Sequence, residues 1–182
     1  ASRHLSRRFR HRIEHCQIVA PADVKRFAAL GVTASMQPTH ATADIDLMQL
    51  YLGKRAQHSY RFRSFTGLAV PLAFGSDAPI EPLNPLLGIE AAVTGKRPGQ
   101  DVVFNGSQLL NVAQAVRGFT LGGATAVGEQ RERGSLEVGK LADLVVLDRD
   151  IMRERGEGIN KAEVLATMVG GSLLFRQDGF GD

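Results

Sequence analysis

The chain has 182 residues, 43% of them hydrophobic and 23% charged, which are the proportions of an ordinary globular protein and exclude disorder along its whole length. The net charge of +3 is local, because residues 13–182 carry 17 basic against 19 acidic side chains, and the excess comes from five arginines, namely Arg3, Arg7, Arg8, Arg10 and Arg12. This run is typical of either a nucleic-acid-binding arm or a solvated helix end. The absence of an aromatic or Gly-rich RNA-binding pattern favours the helix end.

Cysteine content and hydropathy restrict the location of the protein. The single Cys16 cannot form an internal disulfide, which favours a reducing compartment such as the cytoplasm. No apolar run approaches the roughly 18–20 residues of a membrane span, and no apolar signal-peptide core is present near residue 1. We therefore expect a cytoplasmic protein that binds neither membranes nor nucleic acid.

The first part of the chain predicts a strand, a helix and a second strand. The stretch HRIEHCQIV is typical of a short strand that ends near His15, and PADVKRFAALG predicts a helix with Pro21 in its first turn and Gly31 past its end. The stretch VTASMQPTH then predicts a strand with His40 at its C-terminal tip. Such a βαβ unit requires a parallel sheet.

The middle of the chain predicts one more strand and two helices. After a segment of mixed helical spacing from Asp44 to Phe65, VPLAFGSDAP predicts a buried strand with Asp77 just beyond its end. EPLNPLLGIEAAVTG predicts a helix that follows a Pro-rich loop. SQLLNVAQAVRGFTLGGA predicts another helix, with Ser107 as its N-cap and Gly122-Gly123 as its stop.

The pattern changes near residue 132, from alternating helices and strands to hairpins. ADLVVLD predicts a strand, and VLATMVGGSLLF predicts two strands joined by a Gly170-Gly171 turn. About 50 residues form a thin core, so this unit is expected to need strands from elsewhere. We therefore divide the chain into residues 1–131 and 132–182.

Three side chains that follow apolar strands are the candidate functional residues: His15, His40 and Asp77. The C-terminal ends of parallel strands open on one face of a sheet, where active sites of such folds gather. Two imidazoles and a carboxylate suit Zn²⁺. Zn²⁺ lowers the pKa of a bound water toward about 7 and so supplies a nucleophile at neutral pH, while the acid moves a proton to the leaving group.

Each of these residues alone also has an ordinary structural explanation. A single histidine at a strand end is more often a hydrogen-bonded structural residue than a ligand. The aspartate of a GSD sequence is equally able to cap the following turn. The spacings of 25 residues between His15 and His40 and of 37 between His40 and Asp77 exceed those of local zinc-finger patterns, and they favour ligands on separate strands.

Five stretches together resemble the amidohydrolase superfamily, and specifically its YtcJ-like branch of metal-dependent hydrolases: RIEHCQ, ASMQPTH, YRFRSF, PLAFGSDAPIEPLNPLLGIEAAVT and GSLEVGKLADLVVLDRD. The resemblance covers nearly the whole chain in one order. It implies the C-terminal half of a (β/α)₈ TIM-type barrel with strands of a small composite β-sandwich. It implies hydrolysis of carbon–nitrogen bonds of the amide, non-peptide type through a metal-activated water.

The resemblance also implies roles for single residues. His15 and His40 would be metal ligands from the fifth and sixth barrel strands, and Asp77, after the eighth, would bind metal and act as the general base. The complete site would hold one or two divalent ions, most simply Zn²⁺. The ligands that this superfamily takes from its first and fourth strands have no counterpart here, and the 36 residues between His40 and Asp77 leave room only for a short or degenerate seventh strand.

Arg55, Arg63 and Glu81 are candidates for substrate contacts. Each arginine suits an anionic group of a small-molecule substrate, although a solvated helix face is the simpler explanation of each one. Glu81 lies in the loop that would overhang the site, where solubility explains it equally well. Two other functions compete with amide hydrolysis. One is deamination or ester cleavage at the same site, and the other is an incomplete, inactive or regulatory relative that needs the missing N-terminal half. Unpaired barrel edges also favour association between copies.

Overall fold

The computed structural model describes residues 10–154 and 156–181. Most of the basic run, namely Arg3, Arg7 and Arg8, lies outside these residues, as does His4. Among the residues that the structure describes, no helix has the length and apolar character that a membrane crossing requires.

The part of the chain before residue 128 contains three strands and seven α-helices among the described residues. The strands are β1 (Arg12–Glu14), β2 (Thr33–Met36) and β3 (Leu72–Phe74). The helices are α1 (Pro21–Leu30), α2 (Pro38–Ala43), α3 (Ile45–Leu52), α4 (Phe62–Gly67), α5 (Pro85–Thr94), α6 (Val112–Arg117) and α7 (Gly123–Val127). Short 3₁₀ turns cover Gly53–His58 and Gly106–Gln108.

Strands β1, β2 and β3 form one parallel sheet in that order. Ile13 pairs with Ala34, and Ser35 pairs with Ala73. The predicted βαβ unit is therefore confirmed, with Pro21 at the start of α1 and Gly31 as its left-handed C-cap. The third strand is shorter than predicted and begins at Leu72.

Strands β2 and β3 are neighbours in the sheet, and no strand lies in the described residues that connect them. That stretch contains α2, α3, a 3₁₀ turn and α4, and its only ladder contact is an isolated antiparallel bridge between Ile18 and Ser59. The expected short seventh strand is therefore not found, because β2, expected as the sixth strand, pairs directly with β3, expected as the eighth. The numbering of the strands within a complete barrel stays a prediction.

The prediction for the helix after residue 107 was wrong at both ends. Asn111, not Ser107, is the N-cap, because its side chain accepts from the Gln114 backbone N–H while the Gln114 side chain accepts from the Asn111 N–H. Gly122-Gly123 does not stop the helix, which passes through a π-helical turn at Gly118–Gly122 and ends at Val127, with Gly128 as its left-handed C-cap. A Cβ at Gly122 would collide with the Leu72 carbonyl oxygen, so glycine here permits close packing on β3.

Strands β4 (Leu144–Leu147), β5 (Val164–Val169) and β6 (Ser172–Arg176) form an antiparallel sheet in chain order. The hairpin of β5 and β6 turns at Gly170 and Gly171, which both have positive φ, as the sequence predicts. Every residue of β6 is exposed. The two-unit division at residue 132 stays a prediction.

The hydrophobic core lies between the parallel sheet and the helices. Its fully buried side chains include Phe65, Met36 and Ala115, and Phe65 meets Phe27 edge to face with ring centroids 5.0 Å apart. Ile151 and Ile159, from the connection before β5, belong to the same cluster. The connection is also pinned to α5, because the Glu90 carboxylate accepts hydrogen bonds from the Gly158 and Asn160 N–H groups.

Candidate metal centre

His15 follows β1 directly and occupies an unusual backbone conformation. Its φ is +65° and that of Cys16 is +44°, both in the left-handed region that non-glycine residues rarely adopt. The Cys16 N–H donates to the Glu14 carbonyl over 2.8 Å, so the chain turns sharply where β1 ends. This turn leaves the His15 side chain exposed beyond the carboxyl end of the sheet.

His40 does not lie at the tip of its strand, as the sequence analysis expected. Strand β2 ends at Met36, and Pro38 starts helix α2, in which His40 is the third residue. The reason is that proline fixes φ at a helical value and is favoured in the first turn of a helix. His40 is half-buried, and its Nε2 atom is buried without a hydrogen-bond partner.

The C-terminal end of α2 is held by Arg97. Its Nε donates to the Thr42 carbonyl over 2.7 Å and its Nη2 to the Ala43 carbonyl over 2.9 Å. A guanidinium at this position satisfies carbonyls that the last turn leaves unpaired and complements the helix dipole. The short helix that carries His40 is therefore fixed at its far end.

Asp77 lies three residues beyond the end of β3. The Gly75 N–H donates to the Met36 carbonyl over 3.2 Å, which continues the contact with β2, and the chain then turns at Asp77 with φ +58°. The Ile80 N–H donates to the Asp77 carbonyl over 2.9 Å and closes that turn. The Asp77 side chain is exposed.

The three side chains meet at the carboxyl end of the parallel sheet. His15, His40 and Asp77 each offer one ligand atom, and these atoms lie within 4.8 Å of one another. The two imidazole rings are nearly parallel, with centroids 6.1 Å apart and an angle of 16° between their planes. Two nitrogens and one carboxylate oxygen are a ligand set that Zn²⁺ accepts, and the unpartnered Nε2 of His40 fits the same use.

A polar cluster that the sequence analysis missed lies beside these residues. The Asp44 Oδ2 atom accepts from Gln17 Nε2 over 2.8 Å and from the Tyr60 hydroxyl over 3.1 Å. The Tyr60 N–H donates to the Gln17 carbonyl over 2.9 Å. We call Gln17, Asp44 and Tyr60 the Asp44 bracket. Burial, followed by the charge and the hydrogen bond of Asp44, raises the pKa of Tyr60 above its ordinary value, so its hydroxyl stays a donor.

The three expected substrate contacts lie outside the metal-ligand cluster. Arg55 is exposed on the Gly53–His58 turn, and Arg63 is exposed on α4. Glu81 is half-buried in the loop after Asp77, and its charge makes the smallest contribution to the raised pKa of Tyr60. Their roles as substrate contacts stay predictions.

Comparison with known sequences connects this chain with one family of hydrolases. The pattern of the amidohydrolase family matches residues 2–175. Protein LONG AFTER FAR-RED 3 of Arabidopsis thaliana is 38% identical over 91% of this chain and 29% of its own length. Putative amidohydrolase YtcJ of Bacillus subtilis is 28% identical over 96% of this chain and 34% of its own length. N-substituted formamide deformylase of Arthrobacter pascens is 28% identical over 92% of this chain and 31% of its own length.

Comparison with solved structures gives the same connection. The structure of an uncharacterized metal-dependent hydrolase from Pyrococcus horikoshii superposes with a TM-score of 0.72 and 30% identity, covering 81% of this chain and 30% of that one. The present chain therefore spans about a third of the length of these relatives.

Proposed function

Because the chain belongs to the amidohydrolase family, we propose that it forms the C-terminal part of a metal-dependent hydrolase that cleaves carbon–nitrogen bonds of the amide, non-peptide type. The observation that carries this proposal is the convergence of His15, His40 and Asp77 within 4.8 Å. The name of the Arthrobacter relative, a formamide deformylase, supports a carbon–nitrogen bond as the target.

The three residues have distinct parts in this proposal. His15 and His40 hold a divalent ion, most simply Zn²⁺, through neutral ring nitrogens. When bound, such an ion supplies Lewis acidity and lowers the pKa of water. Asp77, which is exposed at the mouth, binds through its carboxylate and moves a proton toward the leaving nitrogen. Arg55, Arg63 and Glu81 are proposed to orient a small-molecule substrate.

We further propose the architecture that the family implies. Residues 1–131 would form the C-terminal half of the barrel, and residues 132–182 would supply sandwich strands. A groove of about 520 Å³ runs along the outer side of β1 and α1, lined by Ile13, Gln17, Phe27 and Leu30 among others, and we expect the N-terminal half of the barrel or a second copy to cover it. The buried free thiol of Cys16 supports a cytoplasmic location.

Metal binding to the 182-residue chain tests the ligand set. We expect one Co²⁺ per chain by calorimetric and visible-absorption titration. His40→Ala or Asp77→Asn should weaken binding by more than about 100-fold, because groups that only support a ligand already contribute about 10–100-fold. Asp178→Asn in the exposed C-terminal segment is the matched control and should bind like the parent chain. Equal binding by the parent chain and His40→Ala would refute this ligand set.

Hydrolysis tests the reaction class. N-substituted formamides are the first substrates to test, and formate release is the measurement. An ester and an aminopurine, assayed separately as substrates, test the alternatives of ester cleavage and deamination. We expect Asp77→Asn to lower turnover by about 100-fold or more, because a general base contributes on that scale.

Metal binding without turnover would support the second candidate, an incomplete or regulatory relative. The observation that favours this candidate is that the Arabidopsis relative, 38% identical, has a name that states no enzymatic activity.

A further inference from the structure

The Asp44 bracket joins the two chain segments that carry the histidines. On one side, the Asp44 carboxylate accepts from the side chain of Gln17, which lies two residues after His15. On the other side, the Asp44 N–H donates to the His40 carbonyl over 2.9 Å, where α2 ends. One residue therefore contacts both the loop of the first histidine and the helix of the second.

The loop after β1 needs such support because its backbone is strained. His15 and Cys16 both have positive φ, and such conformations cost on the order of 1–3 kcal/mol each unless the surroundings determine them. Gln17 is the first residue past this strain, and the bracket holds it twice, through its side chain by Asp44 and through its carbonyl by the Tyr60 N–H.

The bracket is closed and shielded, so its geometry is well defined. Tyr60 is 2% exposed, and Asp44 and Gln17 are half-buried. Each pair of the three residues is directly hydrogen-bonded, at 2.8, 2.9 and 3.1 Å. A half-buried carboxylate that accepts two hydrogen bonds is costly to remove, because its donors, one of them on the buried Tyr60, would be left without partners.

We propose that Asp44 is a positioning residue that fixes the distance between the imidazoles of His15 and His40, although it is not itself a metal ligand. This inference rests on the proposed metal site. Asp44 would act like the groups that surround a metal site and orient its ligands. Loss of such a group usually weakens metal binding by about 10–100-fold.

A graded set of substitutions tests the proposal. Asp44→Ala removes both hydrogen bonds, and we expect its Co²⁺ dissociation constant to rise by about 10–100-fold. Asp44→Asn keeps the shape and one acceptor oxygen, so it should restore part of the affinity. Asp101→Asn, the same change at a side chain exposed on a loop, is the control and should leave the constant unchanged.

A measurement without metal separates this inference from the proposed function. In the metal-free chain, Asp44→Ala should shift the ring nitrogen resonances of His15 and His40 and leave those of exposed His11 in place. The chain has no tryptophan and only two tyrosines, so in a Tyr51→Phe background tyrosine fluorescence reports the Tyr60 hydrogen bond alone. That signal shows whether the bracket is broken.

The outcomes are distinct. A broken bracket with unchanged ring resonances and unchanged Co²⁺ affinity overturns the positioning role. If the parent chain binds no Co²⁺, the proposed ligand set fails on this chain, and the ring resonances alone decide the positioning role. If Asp44→Ala does not fold, Tyr60→Phe and Gln17→Ala each remove one side-chain hydrogen bond to Asp44, and each should cause a smaller change in the same direction.

Discussion

Strands β2 and β3 of the parallel sheet lie inside the core, with seven residues of which six are buried, whereas all five residues of β6 in the antiparallel sheet are exposed. The parallel sheet is covered by helices and presents three candidate ligands at its carboxyl end. The antiparallel sheet presents large apolar side chains to solvent, such as Leu173, Leu174 and Phe175.

This difference separates a region whose apolar side chains are buried within the described chain from a region whose apolar side chains are left for other protein to cover. Buried apolar area stabilises the first region within the described residues, and a functional site needs that rigidity. The second region leaves large apolar side chains on both faces of β6 exposed, as expected of strands that pack against other protein. The four predictions below test this contrast, from the largest effect to the smallest.

The largest effect is expected for a core phenylalanine of the first region. Phe65→Ala should lower the free energy of unfolding by about 3–5 kcal/mol, because Phe65 is 0% exposed and its removal leaves a cavity. Phe175→Ala in β6, where the ring is 48% exposed, should cost about 1 kcal/mol or less. Urea unfolding measures both, and similar losses would show that the second sheet is as well packed as the first.

A pH effect is expected from Cys16, which belongs to the first region and is the only cysteine of the chain. Burial raises the pKa of the Cys16 thiol from 9.0 to about 11. Below pH 9 both the folded and the unfolded chain keep this proton. Between about pH 9 and 11 only the unfolded chain loses it, so the contribution of Cys16 to stability decreases over this interval.

Comparison with Cys16→Ala isolates that contribution from the titration of lysines and tyrosines. The stability difference between the two chains should change by on the order of 2 kcal/mol between pH 8 and pH 11.5, since one pKa unit corresponds to about 1.4 kcal/mol. Alkylation by iodoacetamide at pH 9 should be much slower in the folded chain than in urea. A constant stability difference and rapid alkylation would show that the thiol is accessible.

An intermediate effect is expected where α7 meets β3. Gly122→Ala should lower the free energy of unfolding by about 1–3 kcal/mol, because its Cβ would collide with the Leu72 carbonyl. The neighbouring Gly123 has open space and a helical φ of −59°, so Gly123→Ala should raise stability by about 0.5–1 kcal/mol. Stability changes of opposite sign at these adjacent glycines would support this packing, and thermal unfolding measures both. Changes of the same sign would contradict it.

The smallest effect on stability is expected on the exposed sheet. Leu174 is 68% exposed on β6, so Leu174→Ser should change the free energy of unfolding by only about 0.5 kcal/mol. The same change should reduce self-association of the chain in sedimentation velocity, because it removes the most exposed large apolar side chain of β6. Unchanged association would assign that property to another surface, such as the groove along β1.

The sequence predicts the parallel βαβ unit and the convergence of His15, His40 and Asp77 because both follow from local patterns and from the geometry of parallel strands. Apolar runs predict β2 and β3, the short stretch before His15 predicts β1, and the carboxyl ends of parallel strands meet at one edge. The errors arose where a local signal competes with packing. Pro38 starts a helix before His40, and Gly122 serves close contact with β3 rather than helix termination.

The Asp44 bracket has no comparable signal in the sequence. Gln17, Asp44 and Tyr60 are 27 and 16 residues apart along the chain, and each lies in an irregular segment or at a helix boundary. Ordinary polar residues in such places are typical of solvated loops. Only the folded backbone, which turns through left-handed conformations after β1, brings them together.

The left-handed backbone at His15 and Asp77 has a consequence for attempts to redesign this centre. The φ angles are +65° at His15 and +58° at Asp77. Valine, isoleucine or threonine at either position would strain the backbone, whereas asparagine tolerates such angles better than other non-glycine residues. A combinatorial library at these two positions should therefore be enriched in asparagine, aspartate, histidine and glycine. Many of the other side chains would cost on the order of 1–3 kcal/mol in backbone strain at these positions, whereas the helical backbone at His40 adds no such strain.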